Sequence, residues 1–102
     1  MKARRDRGSV RSQVYSDESW SAFAVGFGLT LQRLRVERGL SQDEMAVLSG
    51  VSRNTYQKYE KGRGGPDASA NPTLRVLLAL AQVLQVGIED LLPPERPDRL
   101  LR

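Results

Sequence analysis

The sequence predicts an all-α fold, and three observations support this prediction. Apolar residues recur at helical spacing between residues 17 and 38. Two serine-capped segments flank a glycine turn between residues 41 and 62, and a strongly apolar segment follows between residues 72 and 85. With 102 residues, 39% of them hydrophobic, the chain is long enough for one small domain with a modest core.

The first predicted helix runs from about Asp17 to Arg38, with Ser16 as its N-cap and Gly39 at its end. Gly26 and Gly28 each cost about 1 kcal/mol relative to alanine inside a helix, so a break at these positions is an alternative. An apolar stripe at i, i+3, i+7, i+11 and i+14 predicts the buried face: Trp20, Phe23, Phe27, Leu31 and Leu34.

Residues 41 to 62 predict two short helices joined by a sharp turn. Ser41 and Glu44 match the S-x-x-E capping box, in which each residue satisfies a free backbone N–H of the other, so the first of these helices begins at Gln42. Gly50 can supply the positive φ that ends this helix and reverses the chain.

Ser52 is a second N-cap, and it starts a helix over residues 53–61 that ends at Gly62. Tyr56 and Tyr59 are spaced i, i+3 and are expected to be buried. The opposite face of this helix carries long polar side chains: Arg53, Asn54, Gln57 and Lys58.

The C-terminal part begins with a loop, Gly62 to Pro72, identified by its Gly, Pro, Asp and Ser content. The next helix, over residues 72–85, is apolar nearly all round, which predicts a central buried helix or a partner subunit on one side. A last turn covers residues 88–92, and the tail over residues 93–102 is expected to fray after two prolines.

Composition excludes several kinds of chemistry. The chain has no cysteine and no histidine, which excludes disulfides, thiolate zinc sites and histidine-based catalysis. The carboxylates are scattered, so we expect no enzymatic activity, no metal and no cofactor. Asp17 and Glu18 separate the basic N-terminus from the apolar run after it, which argues against a signal peptide and for a cytoplasmic protein without a membrane segment.

The net charge of +4 is concentrated at the N-terminus. Residues 1–12 contain five basic residues and one acidic residue, whereas the rest of the chain has 11 of each. Residues 30–64 contain seven basic and four acidic residues. We expect residues 1–16 to form a disordered basic arm, which either is simply solvated or follows a phosphate backbone.

The span from Leu29 to Leu92 resembles the five-helix DNA-binding domain of phage lambda and Cro-type repressors, the xenobiotic-response-element (XRE) type of helix-turn-helix. Each shared motif is weak alone, but together, at the correct helix spacing, they are specific. They are the opening Ser41-Gln42, Met45-Ala46, Gly50-Val51-Ser52, Tyr59-Glu60-Lys61-Gly62, Asn71-Pro72-Thr73 and Val86-Gly87-Ile88-Glu89-Asp90-Leu91.

The resemblance implies an all-α, five-helix, lambda-repressor-like domain over residues 17–92, with an N-terminal helical extension and the helix-turn-helix at 41–62. The helix after Ser52 would enter the DNA major groove, where Arg can bond guanine and Asn can bond adenine in a bidentate way. The implied base contacts are Ser52, Arg53, Asn54, Thr55, Gln57 and Lys58. The implied phosphate contacts are Gln42, Lys61 and Arg63. A merely solvated polar face is the alternative.

The resulting functional prediction is sequence-specific binding of double-stranded DNA by a transcriptional regulator, most simply a repressor. The resemblance implies a homodimer on a two-fold operator. Its interface is expected at Val86, Ile88, Leu91 and Leu92, which could equally close the monomer core. The alternatives are an antitoxin with a protein partner, and a protein-binding scaffold or coactivator module with the same fold.

Two further expectations concern packing. The resemblance implies that Glu60 pairs with Arg35 of the first helix. Val47 and Leu48 are apolar at helix positions that are often charged in similar domains, so we expect the segment with Trp20 and Phe23 to cover them.

Overall fold

The computed structural model describes residues 14–100 of the chain. Within this range the protein is all-helical, with four α-helices and one 3-10 helix. They are α1 (Asp17–Glu37), α2 (Gln42–Ser49), α3 (Arg53–Glu60), α4 (Leu74–Leu84) and a 3-10 helix (Ile88–Leu91). The predicted all-α class is therefore confirmed, although the predicted fifth helix is a single 3-10 turn.

Helix α1 is continuous through both of its glycines, so the predicted alternative of a break is wrong. A Cβ atom on Gly28 would lie 2.5 Å from the carbonyl oxygen of Glu60 and 2.6 Å from that of Tyr59. A Cβ atom on Gly26 would lie 2.9 Å from Cγ of Pro93. The glycines thus allow the end of α3 and the start of the tail to approach the backbone of α1.

The turn between α2 and α3 has the predicted geometry. The backbone N–H of Glu44 donates to Ser41 Oγ (3.0 Å), and the backbone N–H of Ser41 donates to Glu44 Oε1 (2.8 Å), which completes the capping box. Gly50 has a φ of 78°, in the left-handed region that glycine adopts without strain. Ser52 Oγ accepts from the backbone N–H of Thr55 (3.0 Å), so the second predicted cap is also confirmed.

The core lies where α1, α2, α3, α4 and the 3-10 helix meet. Its buried members are Phe27, Leu31, Met45, Ala46, Tyr56, Leu80, Ala81, Leu84 and Leu91. The partly buried Val86, Ile88 and Leu92 pack against this cluster. The side chains predicted for a dimer interface therefore contribute to the monomer's own core, which was the other possibility that the sequence left open.

Helix α4 is buried on one face only. Leu80, Ala81 and Leu84 are buried, but Leu74 is 73% exposed and Leu78 is 47% exposed. The prediction of a central, fully surrounded helix is wrong, because α4 packs from one side. Its outer face keeps two exposed leucines at i, i+4 spacing.

The tail after the 3-10 helix folds back along the start of α1. The backbone N–H of Asp98 donates to Ser19 Oγ (3.1 Å), and the N–H of Leu100 donates to the Val14 carbonyl (2.6 Å). Tyr15 and Arg99 form an isolated antiparallel bridge. The tail up to residue 100 is thus built into the fold rather than frayed, while residues 1–13 of the predicted arm lie outside the described residues.

The aromatic residues at the start of α1 do not cover α2. Val47 is 78% exposed and Leu48 is 60% exposed, so the expected packing of Trp20 and Phe23 over them is wrong. Instead, Trp20 Nε1 donates to the carbonyl oxygen of Ala70 (3.0 Å). Between residues 14 and 100, no helix has both the length and the apolar character that crossing a membrane requires.

Candidate nucleic-acid interface

The outer face of α3 carries the six residues predicted to contact bases. The α3 N-cap Ser52 and the first-turn residues Arg53 and Asn54 are exposed. The other three are half-buried: Thr55, Gln57 and Lys58. The structure therefore brings all six together along one short helix and its cap, with the most exposed residues at the N-terminal end.

Ser52 and Thr55 are partly engaged with each other. Ser52 Oγ accepts from the backbone N–H of Thr55 and donates to Thr55 Oγ1 (2.9 Å). This pair fixes the first turn of α3, because the hydroxyl satisfies one of the N–H groups that a helix leaves free at its start. Their hydroxyls have a capping role whether or not they also meet DNA.

Gln42 is engaged inside the protein. Its Nε2 donates to Glu60 Oε1 (2.9 Å), and its Oε1 accepts from Gln57 Nε2 (3.1 Å). The side-chain amide of Gln42 thus links α2 to α3. For the predicted phosphate contact, Gln42 still has the second N–H of its side-chain amide and its backbone N–H at the start of α2, where helix N–H groups favour anions.

A hydrogen-bond network around Glu60 connects α3 to the helices behind it. Arg35 Nε donates to Glu60 Oε2 (2.5 Å), and Arg35 Nη2 donates to Glu60 Oε1 (3.2 Å), so the predicted pair is confirmed. Tyr56 Oη also donates to Glu60 Oε2 (2.5 Å). The side chain of Arg35 is 12% exposed and that of Glu60 is 4% exposed. The carboxylate is therefore almost fully removed from water and fully hydrogen-bonded.

The protonation states of this network follow from its contacts. Burial alone would raise the pKa of Glu60, but hydrogen bonds from Arg35, Tyr56 and Gln42 outweigh it and hold the pKa below its ordinary value. The hydrogen bond to Glu60 raises the pKa of Arg35. Burial, and then the hydrogen bond to the carboxylate, raise the pKa of Tyr56. All three groups keep their usual charge states at neutral pH.

The network joins three helices. Arg35 belongs to α1, Gln42 to α2, and Tyr56, Gln57 and Glu60 to α3. Because Gln57 donates to Gln42, the chain of hydrogen bonds continues from the buried carboxylate to the outer face of α3. The exposed face of α3 is therefore held in a fixed orientation relative to the core.

Asp43 is a neighbour of the site that sequence reasoning missed. Its Oδ1 lies 2.6 Å from Arg53 Nε in an ion pair, and the two side chains are 64% and 65% exposed. Exposed pairs contribute only about 0–1 kcal/mol to stability. The contact instead orients Arg53 at the start of α3. Both residues lie in the first turn of a helix, but only the angle between α2 and α3 brings them together.

The loop after α3 is a compact hairpin. Arg63 and Ser69 form an antiparallel bridge, and the backbone N–H of Gly64 donates to the Ala68 carbonyl (2.9 Å). A groove of about 390 Å³ separates this loop from α3, and Thr55, Lys58 and Arg63 are among its lining residues. Lys61 and Arg63, the other predicted phosphate contacts, are both exposed at this end of α3.

A family model described as a helix-turn-helix domain matches residues 27–93 of this chain. The match begins in the middle of α1 and ends just after the 3-10 helix. It therefore contains α2, the turn at Gly50, α3 and α4. The first part of α1 and the folded-back tail lie outside it.

Two curated relatives carry regulator names. The SPbeta prophage-derived uncharacterized HTH-type transcriptional regulator YonR of Bacillus subtilis is 38% identical over 66 residues, which are 65% of this chain and 56% of that protein. The cryptic phage CTXphi transcriptional repressor RstR of Vibrio cholerae is 40% identical over 65 residues, which are 64% of this chain and 53% of that protein. The chain thus spans about half the length of these relatives.

Solved structures share the fold. The restriction-modification controller protein C.AhdI from Aeromonas hydrophila has a TM-score of 0.59 at 35% identity, over 67% of this chain and 94% of that chain. The master regulator for biofilm formation SinR, in complex with DNA, has a TM-score of 0.55 at 26% identity, over 64% of this chain and 95% of that chain. Hydroxypropylphosphonic acid epoxidase from S. wedmorenis has a TM-score of 0.63 at 30% identity, over 72% of this chain but only 36% of that enzyme.

These matches agree with the capped helix pair and with the sequence motifs. The family model covers two-thirds of the chain, and the similarity to the epoxidase concerns one part of that enzyme. The chain therefore belongs to the helix-turn-helix domain family, and its resemblance to lambda and Cro-type helix-turn-helix regulators is confirmed.

Proposed function

We propose that this protein is a transcriptional repressor that binds a double-stranded DNA operator by placing α3 in the major groove. Membership of the helix-turn-helix family and the similarity to named transcriptional regulators support this function. The observation that carries the proposal is the polar outer face of α3, fixed to the core through Gln57, Gln42 and the buried Glu60. A helix face held in this way is already ordered before DNA binds, so less conformational entropy is lost when it meets the base edges.

Base recognition is assigned to the cap and outer face of α3: Ser52, Arg53, Asn54, Thr55, Gln57 and Lys58. Asp43 contacts Arg53 through Nε, and the two terminal nitrogens of the same guanidinium are the pair that can meet guanine O6 and N7. Asn54 can make the corresponding pair of bonds to adenine. Each bidentate contact contributes about 1–3 kcal/mol of discrimination against other bases.

Phosphate contacts are assigned to the two ends of the helix-turn-helix. Lys61 and Arg63 lie exposed at the end of α3, and the backbone N–H of Gln42 lies at the start of α2. These groups would fix the register of α3 on the duplex without reading sequence. The proposed activity is binding rather than catalysis, because the nearby carboxylates of Asp43 and Glu60 are both paired with arginines.

We further propose that the protein binds as a homodimer in the cytoplasm. A two-fold dimer would present two copies of α3 to half-sites about one helical turn, roughly 34 Å, apart. The exposed Leu74 and Leu78 on the outer face of α4 supply apolar surface that the described part of the chain leaves uncovered. Isologous contacts between such patches are common in dimers.

The test is a selection of binding sites from fragmented genomic DNA at near-physiological salt. Wild type is compared with Arg53→Ala/Lys58→Ala, and with Arg33→Ala/Arg96→Ala as a control that removes the same charge from exposed positions outside α3. We expect an enriched inverted repeat for wild type and for the control, and none for the α3 variant. No enrichment by folded wild type would contradict DNA binding and favour a protein partner.

A further inference from the structure

The start of α1 and the residues just before it, outside the helix-turn-helix match, form an aromatic stack. Tyr15 and Trp20 stack with ring centroids 5.7 Å apart, and Trp20 and Phe23 lie 5.4 Å apart in a tilted arrangement. Trp20 Nε1 donates to the carbonyl oxygen of Ala70 across a sequence separation of 50 residues. The stack is therefore joined directly to the loop that follows α3.

The same loop is held against α1 at its other end. Ala70 is 2% exposed, and its backbone N–H donates to the carbonyl of Gly62 (2.8 Å). A Cβ atom on Gly62 would lie 2.8 Å from both N and Cα of Val25. Gly62 and Ala70 thus close the base of the hairpin on the surface of α1, and Trp20 adds a side-chain hydrogen bond at this base.

The far side of the hairpin faces the proposed DNA surface. Arg63 lies one residue after Gly62, and it forms the antiparallel bridge with Ser69, just before Ala70. The groove between the hairpin and α3 is lined by Lys58 and Arg63. A shift at the base of the hairpin would therefore change the distance between these two cations.

We infer that Trp20 is a positioning residue for DNA binding, which holds the hairpin where Arg63 and the groove beside α3 meet the phosphates of one DNA strand. This inference rests on the proposed function. Without the N–H of Trp20, the buried carbonyl of Ala70 loses its side-chain partner and the hairpin base is less restrained. Arg63 is then no longer held at its phosphate, and the loss of this contact from the complex lowers both the affinity and its salt dependence.

The experiment uses the full chain and the operator fragment from the selection above. Trp20→Phe keeps an aromatic ring but removes the N–H donor. Trp20 is the only tryptophan of the chain, so its replacement by 3-benzothienylalanine, which keeps the bicyclic shape without the N–H, is a second variant. Tyr15→Leu is the matched control, since it weakens the same stack but leaves the N–H donor of Trp20 in place.

Affinity is measured across a range of salt concentrations, together with Arg63→Ala and the double variant Trp20→Phe/Arg63→Ala. We expect Trp20→Phe to weaken binding about five-fold, the factor that corresponds to one hydrogen bond of ordinary strength. The slope of log K against log salt should become shallower by about 0.9, which corresponds to one lost phosphate contact. The double variant should bind no more weakly than Arg63→Ala alone, and Tyr15→Leu should keep the wild-type slope.

The inference is overturned if Trp20→Phe and the benzothienyl variant keep the wild-type salt slope, whatever their thermal stability. It is also overturned if the effects of Trp20→Phe and Arg63→Ala on binding add fully, because independent residues give additive effects. If wild type binds no DNA, the proposed function fails and this inference fails with it. If wild type binds and only the slope prediction fails, the proposed function stands.

Discussion

Glu60 offers the sharpest test of how the DNA-binding face is supported. We predict that Glu60→Gln lowers the thermal stability of the protein strongly, because it leaves the Arg35 guanidinium without its counter-ion. Arg35 is only 12% exposed, so its charge cannot be fully rehydrated in place. Removing one partner of a buried ion pair costs about 3–5 kcal/mol.

The structure favours the lower end of that range. A glutamine amide oxygen can still accept from Tyr56, and Arg35 Nη1 keeps its hydrogen bond to the Leu40 carbonyl (2.9 Å). We therefore expect a loss of about 3 kcal/mol in the free energy of unfolding. For a domain of this size, that loss corresponds to a fall in melting temperature of about 12–24 °C.

The matched control is Glu37→Gln. Glu37 pairs with Arg33 one turn away on α1, and both side chains are 59% exposed. Such an i,i+4 surface pair contributes about 0.3–0.5 kcal/mol. The assay is urea unfolding followed by circular dichroism at pH 7. Equal destabilisation by the two substitutions would refute the claim that the Glu60 pair holds α1 and α3 together.

The same pair predicts a pH dependence with a definite sign. The pKa of folded Glu60 lies below its ordinary value of 4.5, so folding favours the ionised form. The stabilisation is fully present above the unfolded pKa, and it is lost as the pH falls through the folded pKa. The difference in unfolding free energy between wild type and Glu60→Gln should therefore shrink from pH 7 to pH 3. A constant difference over this range would contradict the assignment.

Three further substitutions test other contacts. Gly28→Ala should destabilise the protein by about 1–3 kcal/mol despite the better helix propensity of alanine, because the added Cβ would lie 2.5 Å from the Glu60 carbonyl oxygen. The control in thermal melts is Gly65→Ala, whose Cβ would have no atom within 4 Å. Equal melting temperatures for the two variants would count against the close approach at Gly28. Ser41→Ala should cost about 1 kcal/mol through the lost cap, whereas Ser21→Ala on the exposed side of α1 should change the unfolding free energy by less than about 0.5 kcal/mol. Asp43→Asn should leave the free energy of unfolding within about 1 kcal/mol of wild type but weaken discrimination at the base pair that Arg53 reads. The assay is fluorescence anisotropy on operator variants that differ by a single base pair. An unchanged base preference would mean that Asp43 does not orient Arg53.

Local features of the fold could be predicted from the sequence. The caps at Ser16, Ser41 and Ser52 and the turn at Gly50 depend on interactions between residues close together in the chain. The pairing of Arg35 with Glu60 was predictable only through the family resemblance, since no local rule connects positions 25 residues apart.

The misjudged features all depend on the arrangement of distant segments. Gly28 has an unfavourable helix propensity, but its lack of a side chain allows α1 to contact the end of α3. The tail is held by backbone N–H groups that donate to the Val14 carbonyl and to the Ser19 hydroxyl, and such bonds have no signature in hydrophobic periodicity. The sequence could not show that the Gln42 amide is engaged with Glu60 and Gln57, because that depends on the angle between α2 and α3.

The central claim is that the outer face of α3 reads bases, and a base-substitution scan tests it most directly. Each base pair of the selected operator is changed in turn, and affinity is measured for wild type and for Asn54→Ala. We predict that the change of one base pair weakens the binding of wild type by about 1–3 kcal/mol but does not affect binding by Asn54→Ala. The penalties at the other positions should be the same for both proteins. An identical penalty profile for both proteins would contradict base reading by Asn54 and the proposed docking of α3.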